Sequence, residues 1–283
     1  LSSGMTDTSL SRFVPASKRR SRRLLAFAGV VAVALAAVAM NSLMSARGAL
    51  DPLAYVVTPF EGAKSPGNAM PPERKLRDAM SAYSGLRVID VRLTPGDSAT
   101  ARERAARREA RSLRAAHFIL GETTTERDTV QLRVSLHDTD TPDRAPGIVV
   151  RRFAATNMAA DSVYSSLAEQ LIFSGFPAAV RGLGRDTRVF AARDAFLRGQ
   201  DMVLQWNLSG ADSAFTRATS LDPDYASAHV WLAQSRWWAR SRAARWRADA
   251  MQANARADQL SERDRSIAAA LALLADGKHP EAC

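Results

Sequence analysis

The amino-acid sequence predicts an α+β protein in three parts: an amino-terminal transmembrane helix, a small α/β module, and an all-α solenoid of helical hairpins. Three observations carry this reading. A basic cluster at residues 18–23 is followed by an apolar run at 24–44. Strand-like and helix-like patterns alternate between residues 49 and 178. From about residue 186 onward, small side chains recur at a fixed interval.

The first part is read from charge and length. Lys18, Arg19, Arg20, Arg22 and Arg23 carry half of the net charge of +10. Leu24 to Met40 contains no polar side chain, and Leu43 and Met44 extend the run beyond Asn41 and Ser42. At about 1.5 Å per residue the run spans roughly 31 Å as a helix, close to the hydrocarbon thickness of a bilayer. The positive flank predicts a cytoplasmic tail at residues 1–23 and an extracytoplasmic body in a bacterial cytoplasmic membrane. A cleaved signal peptide, with Ala37-Val38-Ala39 as its processing site, is the alternative. The length of the run favours an anchor. The single cysteine, Cys283, excludes a disulfide framework.

The second part, residues 49–178, is built from "AYVVT", "LRVIDVRL", "HFILGE", "TVQLRVSLHDT" and "GIVVRRFAA" as strands. Helices are expected at "PERKLRDAMSAYSG", opened by Pro72, at "SATARERAARREARSLRAA", capped by Ser98, and at "AADSVYSSLAEQLIFSG". The order resembles the amino-terminal domain of TolB and FlgO-like envelope domains, on "YVVTPF", "LRVIDV", "AAHFILGE" and "VQLRVSLHDTDT". That resemblance implies a docking module and no enzyme. Arg102, Arg104, Arg107, Arg108, Arg111 and Arg114 fit either an anion-binding surface or a solvated helix face. The strip of Ala106, Ala110 and Leu113 favours the solvated face. His137, Asp138, Asp140 and Asp143 match no calcium loop and read as a turn.

The third part, 186–283, carries the interval. Gly199, Ala211, Phe215, Ala218 and Pro223 fall at positions 8, 20, 24, 27 and 32 of a 34-residue helical hairpin, and Leu232 and Ala233 begin the next unit. This resembles the tetratricopeptide repeat, in which small residues let helices approach and the proline ends the second helix. Ala248 and Ala255 continue the pattern after extra residues in "SRAARW", and Ser261 with Asp264 opens a third unit. The chain is expected to be part of a longer reading frame, because the last unit stops at Cys283 and Leu1 precedes Met5.

Chemistry is sparse. No phosphate-binding loop, G-x-S-x-G or HExxH motif occurs, and the four histidines are scattered. The sequence therefore predicts no catalytic residue, no cofactor and no metal. The resemblance implies recognition of a protein or peptide along a concave groove of first helices. Phe196, Gln200, Val203 and Leu204 would line it in one repeat, and Val230, Gln234, Trp237 and Trp238 in the next. Trp231 and one of Trp237 or Trp238 fit a core equally well. Arg236, Arg240, Arg242, Arg245 and Arg247 surround these tryptophans, which leaves a cytoplasmic regulatory or nucleic-acid-binding protein as the alternative. The sensory remnant of a larger signalling protein is a third reading.

Overall fold

The structure is a computed structural model that describes residues 49–62, 70–93, 98–157 and 160–282. The chain divides into two units, Leu1–Ala49 and Leu50–Cys283, and all that follows concerns the second. The expected cytoplasmic tail at 1–23 and membrane helix at 24–44 lie outside the described residues. Among the described residues, no helix is long and apolar enough to cross a membrane.

The protein is α+β, with a mixed sheet followed by a succession of helices. Six strands form the sheet: β1 (Asp51–Val57), β2 (Glu61–Gly62), β3 (Arg87–Asp90), β4 (Ala115–Glu126), β5 (Thr129–Asp138) and β6 (Gly147–Ala154). Their order is β3-β1-β4-β5-β6, with β2 beside β4. β1 runs parallel to both β3 and β4, so each link needs a crossover. Helices α1 (Pro72–Ser81) and α2 (Ala99–Ser112) supply them. The remainder is an antiparallel meander, β4-β5-β6.

Alternation along the strands sorts the core into two layers. Tyr55, Val57, Ile119, Leu132 and Val134 face α1 and α3 (Asp161–Ile172), where Leu76, Met80, Leu167 and Leu171 meet them. Ala54, Val56, Phe118 and Leu120 face α2, packed by Ala106 and Ala110. Ser98 caps α2 as expected from the sequence, its hydroxyl accepting the Ala101 N–H at 3.2 Å. The arginines of α2 are mostly engaged. Arg107 donates to the Asp138 carbonyl and to Glu103, and Arg102 is buried against Glu61 and Glu122.

His137 is buried against Phe118, ring centroids 4.8 Å apart, with Ser135, Glu103, Arg107 and Asp138 around it. Burial pushes its pKa below the ordinary 6.5, and Arg107 adds to this against the pull of Glu103 and Asp138. The unfolded chain therefore binds a proton that the folded chain resists. Stability from this site is full above the unfolded value and lost as pH falls towards the lowered folded one. Urea midpoints measured at roughly pH 7.5 and pH 5.5 are expected to converge in His137→Phe relative to the parent protein.

After α3 the chain runs through a short helix, α4 (Ala178–Arg181), into α5 (Phe190–Leu204), α6 (Leu208–Leu221), α7 (Ala226–Trp238), α8 (Arg247–Ala255) and α9 (Glu262–Ala275). Each of α5 to α8 packs on its successor, and α9 also touches α7. Gly199 lies where α5 crosses α6, and a Cβ there would stand 2.5 Å from the Phe215 ring. Ala211, Phe215 and Ala218 are buried on α6, as are Leu232 and Ala233 on α7. Pro223 sits in the turn between these helices. One expected pair differs. Ala248 and Ala255 are exposed, and Ala250 and Ala253 pack inward beside Trp246. The turn at 239–246 restarts α8 in a different rotational phase.

The junction between sheet and helices is tightly specified. Ser84 N–H donates to the Arg188 carbonyl at 2.8 Å, and Phe190 N–H donates to the Ser84 carbonyl at 3.1 Å. Gly184 has φ +57, and a Cβ on it would lie 2.4 Å from the Phe196 ring and 2.7 Å from the Tyr225 hydroxyl. Only glycine meets both demands. Tyr225 donates to the Gly184 carbonyl at 2.7 Å, and full burial raises its pKa well above the ordinary value. Asp186 caps α7 from 41 positions upstream, accepting the Ser227 N–H at 2.8 Å and its hydroxyl at 2.5 Å. The buried apolar core consequently runs from Tyr55 to Ala268 as one cluster.

Candidate binding surface at the helix ends

The chemistry-bearing groups converge where α5 and α7 end. Both helices stop in the same way. At the end of α5, Asn207 N–H donates to the Met202 carbonyl at 2.8 Å and Trp206 N–H to Val203 at 2.9 Å. At the end of α7, Ser241 N–H donates to Arg236 at 3.0 Å and Arg240 N–H to Trp237 at 2.9 Å. This paired closure puts one residue in the left-handed region, a place that glycine usually takes. Here the residues are Trp206, φ +55, and Arg240, φ +54. Each gives up about 1 kcal/mol relative to glycine by adopting that conformation.

What the strain positions is an exposed indole. Trp206 is 65% exposed, and its ring lies 5.6 Å from that of Trp238. Trp238 in turn meets Trp231 edge-on at 6.1 Å, and Trp231 lies 6.4 Å from Phe215. An aromatic file thus runs from solvent into the core. Beside it, Trp237 and Trp238 line a cavity of about 710 Å³ together with Arg240, Trp246, Leu274 and His279. Trp246 is buried, with Nε1 donating to the Ser241 carbonyl at 3.2 Å.

The residues expected to line a groove divide into three groups. Leu204 and Trp237 are exposed, and Val203, Gln234 and Trp238 are half-buried. Phe196, Gln200 and Val230 are buried, which corrects their expected place on a surface. Phe196 packs on Phe215 and Tyr225, and Val230 belongs to the same core. For Phe196 the physical reason is that the connector at Gly184 closes over its ring from the side opposite α6. Trp206, Leu274 and His279 were not among the expected residues. The only sequence cue to Trp206 is a large aromatic immediately before the Asn207 helix cap.

Charge around the cavity is largely spent internally. Arg236 binds Asp212 at 2.5 Å and Asp249 at 2.7 Å, and Arg245 binds Asp212 at 3.0 Å. Arg247 binds Asp276 at 2.6 Å. Of the five arginines expected to form a basic patch, Arg240 and Arg242 make no ion pair with a described residue. His229 is buried, with Nδ1 2.9 Å from Asp249 and Nε2 3.1 Å from the Pro223 carbonyl. Of the residues expected in a turn, His137 and Asp138 instead end β5 and the turn follows them, with Asp138 holding Thr141, Arg144 and, across the sheet, His117. Among the described residues no group of three acidic, histidine or cysteine side chains is placed to hold a metal.

The chain matches no protein-family model and no curated protein. Among solved structures it is similar to TolB from Acinetobacter baumannii, with 10% identity and a TM-score of 0.34 over 47% of this chain and 31% of that one. It is also similar to a dodecamer of a PelC variant from Paraburkholderia phytofirmans, with 19% identity and a TM-score of 0.28 over 44% of this chain and 88% of that one. The chain thus spans about a third of that TolB chain.

Proposed function

We propose that this protein is a non-catalytic scaffold, held to the bacterial cytoplasmic membrane through residues 24–44, whose extracytoplasmic body binds a protein or peptide partner. In this reading α5 to α9 are tetratricopeptide-like hairpins following a TolB-like module, and no cofactor or metal takes part. The observation that carries it is the exposed Trp206 stacked beside Trp238, with Trp238 and Trp237 lining the adjoining cavity. Large aromatics are poor solvent-facing residues and strong interface anchors. Backbone strain accepted at Trp206, in a position where glycine would relieve it, supports a functional purpose for the indole.

Trp206→Ala combined with Trp237→Ala removes exposed rings only, so the melting temperature is expected to stay within about 2 °C. Crosslinking of the full chain in its native membrane should lose the partner adducts that the parent protein gives. Adducts that persist unchanged in the double variant would remove this surface from consideration. A reporter fused after residue 180 tests the topology separately, and activity confined to the cytoplasm would overturn the extracytoplasmic placement.

A further inference from the structure

The far edge of the sheet carries a second interaction surface. β6 is an edge strand, paired on one side with β5 and on the other with no strand among the described residues. Its register with β5 runs from Gly147 opposite Leu136 to Ala154 opposite Thr129. Ala155 N–H donates to the Asp128 carbonyl at 2.7 Å, which fixes the alternation of that ladder. Val149, Arg151 and Phe153 exchange backbone bonds with β5, so Ile148, Val150 and Arg152 turn theirs outward.

The side chains of these outward residues also lie on the uncovered face. Val149 and Phe153 pack towards α3, whereas Ile148 and Val150 are exposed at 49% and 42%. Helix α2 lies over β4 and β1 on that side and stops short of β6. Exposed aliphatics along an unpaired edge are the template for strand addition, which proteins usually blunt.

Charge selects the occupant. Arg151 and Arg152 lie on β6, and Arg133 stands directly opposite Val150 on β5. None of the three forms an ion pair with a described residue, and Arg152 donates to the Gln131 amide oxygen at 2.7 Å. A second copy would bring the same arginines to the edge of a chain already at +10. From this we infer that β6 accepts an extended segment of an acidic protein partner, adding a strand with aliphatic side chains beside Ile148 and Val150 on one face and carboxylates beside Arg151 on the other, within the positive field of Arg133 and Arg152. This surface is separate from the tryptophan cluster and does not depend on it.

The test uses the full chain and a capped eight-residue peptide of alternating valine and glutamate. Binding is expected to slow amide exchange at Ile148, Val150 and Arg152 and to weaken as salt is raised. Val150→Pro deletes an outward N–H without touching the β5 ladder, so the fold should survive, as circular dichroism will show. Affinity for the peptide should then fall roughly tenfold. Arg151→Glu with Arg152→Glu should shift preference to a valine–lysine peptide. Three results would overturn the inference: no binding, binding that Val150→Pro leaves intact, or edge protection that appears with protein concentration alone and so identifies a second copy as the occupant. A polyglutamate coil that binds equally well without slowing those amides would also reject it, leaving charge as the sole attraction.

Discussion

Arg193→Ala is expected to lower the free energy of unfolding by about 2–4 kcal/mol. Arg193 on α5 is wholly buried, the largest such side chain among the described residues. Its Nη2 donates to the Arg181 carbonyl at 2.9 Å, its Nη1 to the carbonyls of Leu183 and Gly184, and its guanidinium lies 5.6 Å from the Phe173 ring centre. Alanine orphans the Arg181 and Leu183 carbonyls at roughly 1 kcal/mol or more each, leaves the Gly184 carbonyl to the Tyr225 hydroxyl alone, and opens a cavity. Against this stands the desolvation of a cation that has no carboxylate partner among the described residues, a penalty the variant recovers. The acceptors outnumber the relief, so destabilisation wins. Arg193→Lys should not restore stability, because one ammonium lacks the planar fork that spans residues 181 and 184. Denaturant midpoints check both variants, and a loss below about 1 kcal/mol would show that the connector holds without this side chain.

Asp249→Ala should cost about 2–4 kcal/mol, a figure set below that for a fully buried ion pair because these side chains keep some exposure. Asp249 on α8 accepts from Arg236 at 2.7 Å and lies 2.9 Å from His229, both on α7. Arg236 also reaches Asp212 on α6 and donates to Thr216 at 3.1 Å. One carboxylate therefore closes a polar staple across three successive helices. Its loss leaves the largely buried Arg236 with Asp212 as its one carboxylate and takes the Nδ1 partner from His229. The double variant Asp249→Ala, Arg236→Met should recover part of the loss, because it removes a largely buried cation that has kept only one of its two carboxylates. Thermal unfolding of the two variants side by side reads this. If the double variant is less stable than the single, the cation contributes through Asp212 alone.

The fold was legible where one periodicity ruled. β5 and β6 alternate, β1 and β4 show as short apolar runs buried on both faces, and α1 and α2 carry apolar strips with recognisable starts. β2 was invisible, since the two residues Glu61 and Gly62 carry no pattern. β3 ends at Asp90, three residues before the end of the expected strand. The helical part was legible in its spacing and less so in its phase. The turn at 239–246 rotates α8, moving the buried alanines from 248 and 255 to 250 and 253. Half-repeat arithmetic cannot register a turn of unknown length. Phe196, Gln200 and Val230 went inward for a reason no repeat pattern holds. The burial of Phe196 depends on neighbours distant in the chain, Tyr225 and the connector at Gly184. The tryptophan cluster was half legible: Trp237 and Trp238 fell on the expected helix, while Trp206 lay beyond its own.

The cluster running unbroken from Tyr55 to Ala268 has a mechanical consequence. Tension applied at the last hairpins meets no slack tether before it reaches the strands, because residues 182–190 are bonded at Ser84, Arg193 and Tyr225. A tug on one end is therefore felt at the other as strain in a shared interior.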